Sequence, residues 1–190
     1  MKPVTDFMWT AVQRAFKKIS FEPLVEGIAE ALIANDVSVD RIHLPMNKTN
    51  GFHHPVYAHW DIIWENGDGA RSTFGTHDSV ATASGRFDLS YVLRDSPYLA
   101  VSIHGHKVHR INLVKENPRF GPTRLLKEQG FTDYIAIGIE LPNDESKPQP
   151  LSIATRKVGG FGSGIEEKLM AMDRTIGMAL FALYQAAVSY

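Results

Sequence analysis

The chain has 190 residues, 44% of them apolar and 22% charged, which suits one domain with a sizeable core. Twenty basic and 21 acidic side chains leave a formal charge of −1, so no long-range field draws the chain to nucleic acid or to an anionic membrane. The absence of cysteine excludes disulfides, thiolate zinc sites, iron–sulfur clusters and a cysteine nucleophile, and fits a reducing, cytoplasmic setting.

From Thr5 to Ile19, the residues Phe7, Met8, Val12, Phe16 and Ile19 recur at helical spacing, with Thr5 or Asp6 suited to the cap. This opening lacks a continuous apolar core and a small-residue cleavage site, so it does not read as a signal peptide. No apolar run approaches the ~18 residues that a membrane span needs. "FEPLVEGIAEALIAND" predicts a second helix, with Pro23 in its first turn and Asn35-Asp36 at its end. Leu24, Ile28, Leu32 and Ile33 form its apolar stripe.

The period then changes to two. In "VDRIHLPM", Ile42, Leu44 and Met46 alternate with Arg41, His43 and Pro45, as in a strand with one buried face. "PVYAHWDIIWENGDGARSTF" predicts a hairpin. Val56, Ala58, Trp60, Ile62 and Trp64 share one face, Tyr57, His59 and Asp61 the other, and "NGDG" supplies the reversal. "DLSYVLRDSPYLAV" predicts short helices broken at Ser96-Pro97. "VHRINLV" follows as a strand, and "GPTRLLKEQG" as a short helix closed by Gly130. "TDYIAIGIEL" is the cleanest strand, with Ile135, Ile137, Ile139 and Leu141 on one face. "LSIATRK" returns beside it after a polar loop. The last helix repeats Ile165, Leu169, Met172, Ile176, Leu180 and Leu183 every three or four residues. Hairpin connections dominate, so an α+β fold with a mainly antiparallel sheet is expected.

Three motifs invite chemistry. His104, His106 and His109 crowd into "HGHKVH", but neither a strand nor a helix turns all three toward one ion. No "HExxH" or closely spaced aspartate supports a zinc hydrolase. No metal site is therefore expected. A haem ligand needs only one histidine in an apolar pocket and has no sequence signature, so that reading stays open to a spectrum. "GGFGSGIEEK" lacks the dinucleotide pattern and the P-loop lysine–hydroxyl pair, and Ser163 to Glu166 reads as a capping box. No serine stands in a "GxSxG" elbow.

Four stretches together resemble one family. They are "FEPLVEGIAEALIANDVSVDRIHLPMN" followed by His54-Pro55, then "RDSPYLAVSIHG", "LLKEQGFTDYIAIGIEL" and "SIATRKVGGFGSGIEEKL". In this order they are similar to the GAF-like sensor domain that precedes class III adenylate/guanylate cyclase catalytic domains in bacteria, over Phe21 to Leu183. The resemblance implies a central antiparallel sheet with the N- and C-terminal helices on one face and small helices and loops over a ligand pocket on the other. It implies an N-terminal helical arm over residues 1–20 and a single domain over 21–190. It also implies a non-enzymatic regulatory role: a small molecule binds, and the terminal helices report it to a cyclase output that these 190 residues do not contain.

No cofactor follows from the residues, and no nucleic acid or membrane partner is expected. Homodimerisation through the apolar terminal helices is expected. The candidate ligand contacts are Tyr57, His59, Tyr91, Tyr98, His104, His106 and Arg110. Tyrosine and histidine offer flat area with a polar end, and arginine suits an anionic group. Two rival classes remain: a metal-dependent small-molecule enzyme using the histidine-rich loops, and an interaction module that binds no ligand.

Overall fold

The computed structural model describes residues 10–15, 17, 20–48, 56–78, 95–142 and 148–188, with the backbone alone at 47–48, 56–60, 74–78 and 187–188. Helical residues 10–15 precede helix α1 (Glu22–Ala34). Strands β1 (Arg41–Lys48), β2 (Val56–Glu65) and β3 (Gly69–Asp78) follow. Next come α2 (Tyr98–Ser102), β4 (Val108–Asn112), α3 (Gly121–Glu128), β5 (Asp133–Ile139), β6 (Gln149–Thr155) and the long α4 (Ile165–Val188).

The six strands form one sheet in the order β3-β2-β1-β6-β5-β4, and every neighbouring pair is antiparallel. The β1–β6 pairing joins the two halves of the chain through Ile42↔Ile153 and His43↔Ser152. The expected reversal at "NGDG" is the β2–β3 turn, where Gly67 and Gly69 take φ of 97° and 74°. Those left-handed angles are open to glycine at little cost.

Two apolar clusters lie on opposite faces of the sheet. The larger one joins Leu24, Ile28 and Leu32 of α1 to Ile42, Leu44, Ile62, Ile135, Ile137, Ile139, Leu151 and Ile153 of the strands. Leu169, Met172, Ile176, Leu180 and Leu183 of α4 complete it, together with Ala15 of the opening helix. Ile33, expected in the α1 stripe, is 48% exposed instead. The smaller cluster sets Tyr98 and Val101 of α2 and Leu126 of α3 against Ile111, Tyr134, Ala136 and Ala154. Strand β5 is therefore buried on both faces along its whole length. Terminal helices on one face and small helices on the other is the layering that the resemblance implied.

Candidate functional site

Strand parity decides which side chains reach the small-helix face. On β1, Ile42, Leu44 and Met46 enter the larger core, which turns Arg41, His43 and Pro45 to the other side. Opposite them in register stand Glu65, Ile63 and Asp61 of β2, while Ser152 of β6 faces His43. Helix α2 follows Pro97 at its cap, whose ring fixes a φ suited to a helix start, and lays Tyr98 over this patch.

The result is one polar chain, buried at Tyr98, Tyr134 and Ser152 and partly exposed at His43 and Asp61. Asp61 Oδ1 lies 3.1 Å from His43 Nε2, and the Tyr98 hydroxyl lies 2.8 Å from both His43 Nδ1 and Ser152 Oγ. Tyr134 of β5 bonds through its hydroxyl into the same cluster. Tyr98, Tyr134 and Ser152 are all buried, and the Tyr98 and His43 rings stack obliquely with centroids 5.7 Å apart. One assignment of protons satisfies His43, Asp61, Tyr98 and Ser152 together. His43 donates its Nε2 proton to the Asp61 carboxylate, Tyr98 donates to Nδ1, and Tyr98 accepts from Ser152.

Charge and burial fix what this chain of groups can do. Desolvation pushes the Tyr98 hydroxyl far above the usual phenol range, and the bonds to Ser152 and Tyr134 offset only part of it. Desolvation raises Tyr134 in the same direction. Both phenols are thus held as neutral donors. A serine hydrolase needs its base against the serine; here Tyr98 stands between His43 and Ser152. The arrangement suits holding a polar guest in one orientation. At the rim, Glu65 bonds to Arg41 and Arg71. Burial alone raises the Glu65 carboxyl, but the bonds and charges of Arg71 and Arg41 outweigh it and hold the group below its ordinary value.

The seven residues singled out from the sequence do not all meet here. Tyr98 does. Positions 57 and 59 fall in the same strand alternation as Asp61, and Tyr91 lies outside the described residues. His104 and His106 occupy the loop between α2 and β4, bent at Gly105 with φ 72°, and their ring centroids are 6.3 Å apart. His109 stands on β4, edge-on to Phe120. Among the described residues, no group of three or more histidines and carboxylates is placed to hold an ion. Arg110 lies opposite Ile135 and so shares the face of the larger core. Its guanidinium reaches Asp133 Oδ2 at 2.7 Å and the Phe161 carbonyl at 2.8 Å.

His43, Asp61, Tyr134 and Ser152 were not singled out in the sequence. Each is a polar residue within an apolar strand, and that is the signal that marks them: Ser152 interrupts "LSIAT", and Asp61 interrupts "HWDIIW".

No family model matches the sequence, and no curated protein matches it. Among solved structures, the chain is similar to the GAF domain of a two-component sensor histidine kinase from Bacillus halodurans. That likeness has a TM-score of 0.53 at 11% identity, over 90% of this chain and 99% of that one. A red/green cyanobacteriochrome in its red-light-absorbing state gives 0.51 at 11%, over 92% and 97%. A phycoerythrobilin-bound GAF domain from a cyanobacterial phytochrome gives 0.51 at 11%, over 98% and 99%. The fold is GAF-like.

Proposed function

We propose that this chain is a non-enzymatic sensor domain that binds a small molecule on the sheet face bearing Tyr98, His43 and Ser152. The observation that carries the reading is this polar chain, buried at one end and open to solvent at His43 and Asp61. Five polar side chains gathered beneath a thin layer of small helices give orientation and no evident nucleophile. The GAF domain of the phytochrome is described as holding phycoerythrobilin, which supports a guest on this kind of scaffold.

Tyr57, His59 and Tyr91 join Tyr98 as ligand contacts in this reading, with His104 and His106 at the rim. Arg110 serves the loop before α4, not the ligand. In this reading an arm over residues 1–20 precedes a single domain over 21–190, and the protein works in the cytoplasm. Occupancy shifts the population of two arrangements of the pocket segments, and the terminal helices carry the change to a cyclase-type output domain. Two copies pair through those helices. An apolar groove of about 760 Å3 between the opening helix and α4, lined by Val12, Ala171, Thr175, Met178 and Ala182, supports that pairing.

The test is a thermal-shift screen against nucleotides, amino acids and organic acids. One class is expected to raise Tm, and Tyr98→Phe, which removes the bonds that hold His43 and Ser152 in place, to weaken that compound about tenfold. A screen with no hit, or a Tyr98→Phe affinity equal to wild type, removes this face as the site.

A further inference from the structure

Tyr98 and α4 lie on opposite faces of the sheet, yet a short run of contacts joins them around the β4 edge. Helix α2 carries Tyr98 at its start and packs on β5 at its end. There a Cβ on Gly138 would lie 3.0 Å from Pro148 and, at 3.4 Å, in ordinary contact with the Val101 carbonyl, so the end of the helix, the strand and the residue before β6 meet at this glycine. Ser102 Oγ donates to the Pro148 carbonyl at 3.3 Å. The chain then bends through His104 to His106, with amides of 103, 104 and 106 bonded back to Leu99 and Ala100. That bracing makes α2 and the loop one unit.

Lys107 follows at once. Its carbonyl accepts from the Gly138 amide at 3.1 Å. Its ammonium lies 3.0 Å from Glu140 Oε1 and 2.8 Å from Asp173 Oδ2 on α4. Asp173 Oδ1 is buried with no hydrogen-bond partner, so Lys107 is the cation that balances a carboxylate half sunk in protein. One turn further along α4, a Cβ on Gly177 would lie 2.3 Å from the Glu140 carbonyl oxygen. The helix backbone therefore touches the end of β5 beside the same lysine.

We propose that Lys107 couples the Tyr98 network to the terminal helix, so that a shift of α2 loosens or tightens the Lys107–Asp173 pair and with it the seat of α4 on β5. This assigns the regulatory link of the site read above as a ligand pocket, and rests on that reading for its purpose. Its physical content needs no ligand, because a demonstrated energetic coupling between two positions is what distinguishes a link from mere proximity.

The experiment is a double-mutant cycle on the whole chain, Tyr98→Phe against Lys107→Met, read by hydrogen exchange of α4 amides relative to those of α1. Each single change is expected to speed exchange around residues 169–177 threefold or more. The pair together should do little more than the larger single. Glu140→Gln in place of Lys107→Met should multiply with Tyr98→Phe, because Glu140 is 75% exposed. Multiplying effects of Tyr98→Phe and Lys107→Met, or no effect of Tyr98→Phe on α4, would overturn the link. If Tyr98→Phe fails to fold, Ser152→Ala enters the same cycle with the same criteria. No guest takes part in the measurement. A failed cycle therefore leaves the sensor reading standing, and a failed ligand screen leaves the cycle interpretable.

Discussion

His109 shows how one ring can set a pH dependence. It stands on β4 between the edge of Phe120 and the His106 loop, with Nε2 buried and without a hydrogen-bond partner. Burial holds its pKa below the ordinary imidazole value of 6.5; nearby His106 pushes the same way and Glu116 opposes. The folded state therefore prefers the neutral ring, and the unfolded chain takes up the proton first. Its contribution is complete above about pH 6.5 and falls as the pH drops toward the lower folded value. Urea midpoints measured between about pH 7.5 and pH 5.5 should fall for wild type and fall less for His109→Phe. The difference between the two proteins is what belongs to this ring. Equal slopes would show that burial of this ring carries no such linkage. Asp133 marks the other extreme. It is fully buried, held by Arg110 and by the Phe161 amide, and a Cβ on Gly160 would lie 2.5 Å from its oxygen. Glycine is needed there both for space and for φ of 76°.

At the scale of elements, α4 sets two effects of known sign against each other at Gly177. Alanine inside a helix is favoured over glycine by about 0.5–1 kcal/mol. The new methyl, however, would start 2.3 Å from the Glu140 carbonyl oxygen, and neither partner is a flexible side-chain end. Relief requires α4 to lift off β5, loosening Leu169, Met172 and Ile176 in the larger core, and overpacking of this kind costs about 1–3 kcal/mol. The collision wins, so Gly177→Ala should lower stability by about 1 kcal/mol or more in urea unfolding; a gain would mean that the helix seats further from the sheet. How far these elements were legible in the sequence depends on how local their signal is. The alternation of Ile135, Ile137 and Ile139 and the "NGDG" turn act within a few residues, and both stand where the pattern put them. The charge of Arg110 says nothing about strand parity. Its face became visible only once β4 paired with β5 at Ile135. The Tyr98–His43–Ser152 contact spans 55 and 54 positions, and no window along the chain contains it.

The whole molecule raises the question of what covers its terminal helices. A 24-residue α4 is roughly 36 Å long, well beyond the seven-residue strand β5 on which its middle rests. Along its outer side, Ala171, Thr175, Met178 and Ala182 and the opening helix's Val12 line a mainly apolar groove with Arg174 beside them, and Met178 is 55% exposed. Small residues spaced by three or four allow a second helix to approach closely, and a two-fold pair would place each Met178 near its own copy or the neighbouring alanines. The formal charge of −1 per chain offers little repulsion to such pairing. Met178→Glu tests it with little expense to the single chain, because an exposed side chain on a helix exchanges methionine for another good helix former. In the pair, the same change brings two carboxylates into one seam, where mutual repulsion and desolvation oppose pairing and Arg174, one turn away, offsets only part of both. The expected outcome is a dimer by sedimentation velocity for wild type and a dimer constant weakened at least about a hundredfold for the variant, equivalent to about 2.7 kcal/mol. Circular dichroism of the dilute variant should stay that of wild type. A wild-type chain that sediments as a monomer at about 100 µM, or a variant that still dimerises at wild-type strength, would place the contact elsewhere and leave the helices to act within one copy.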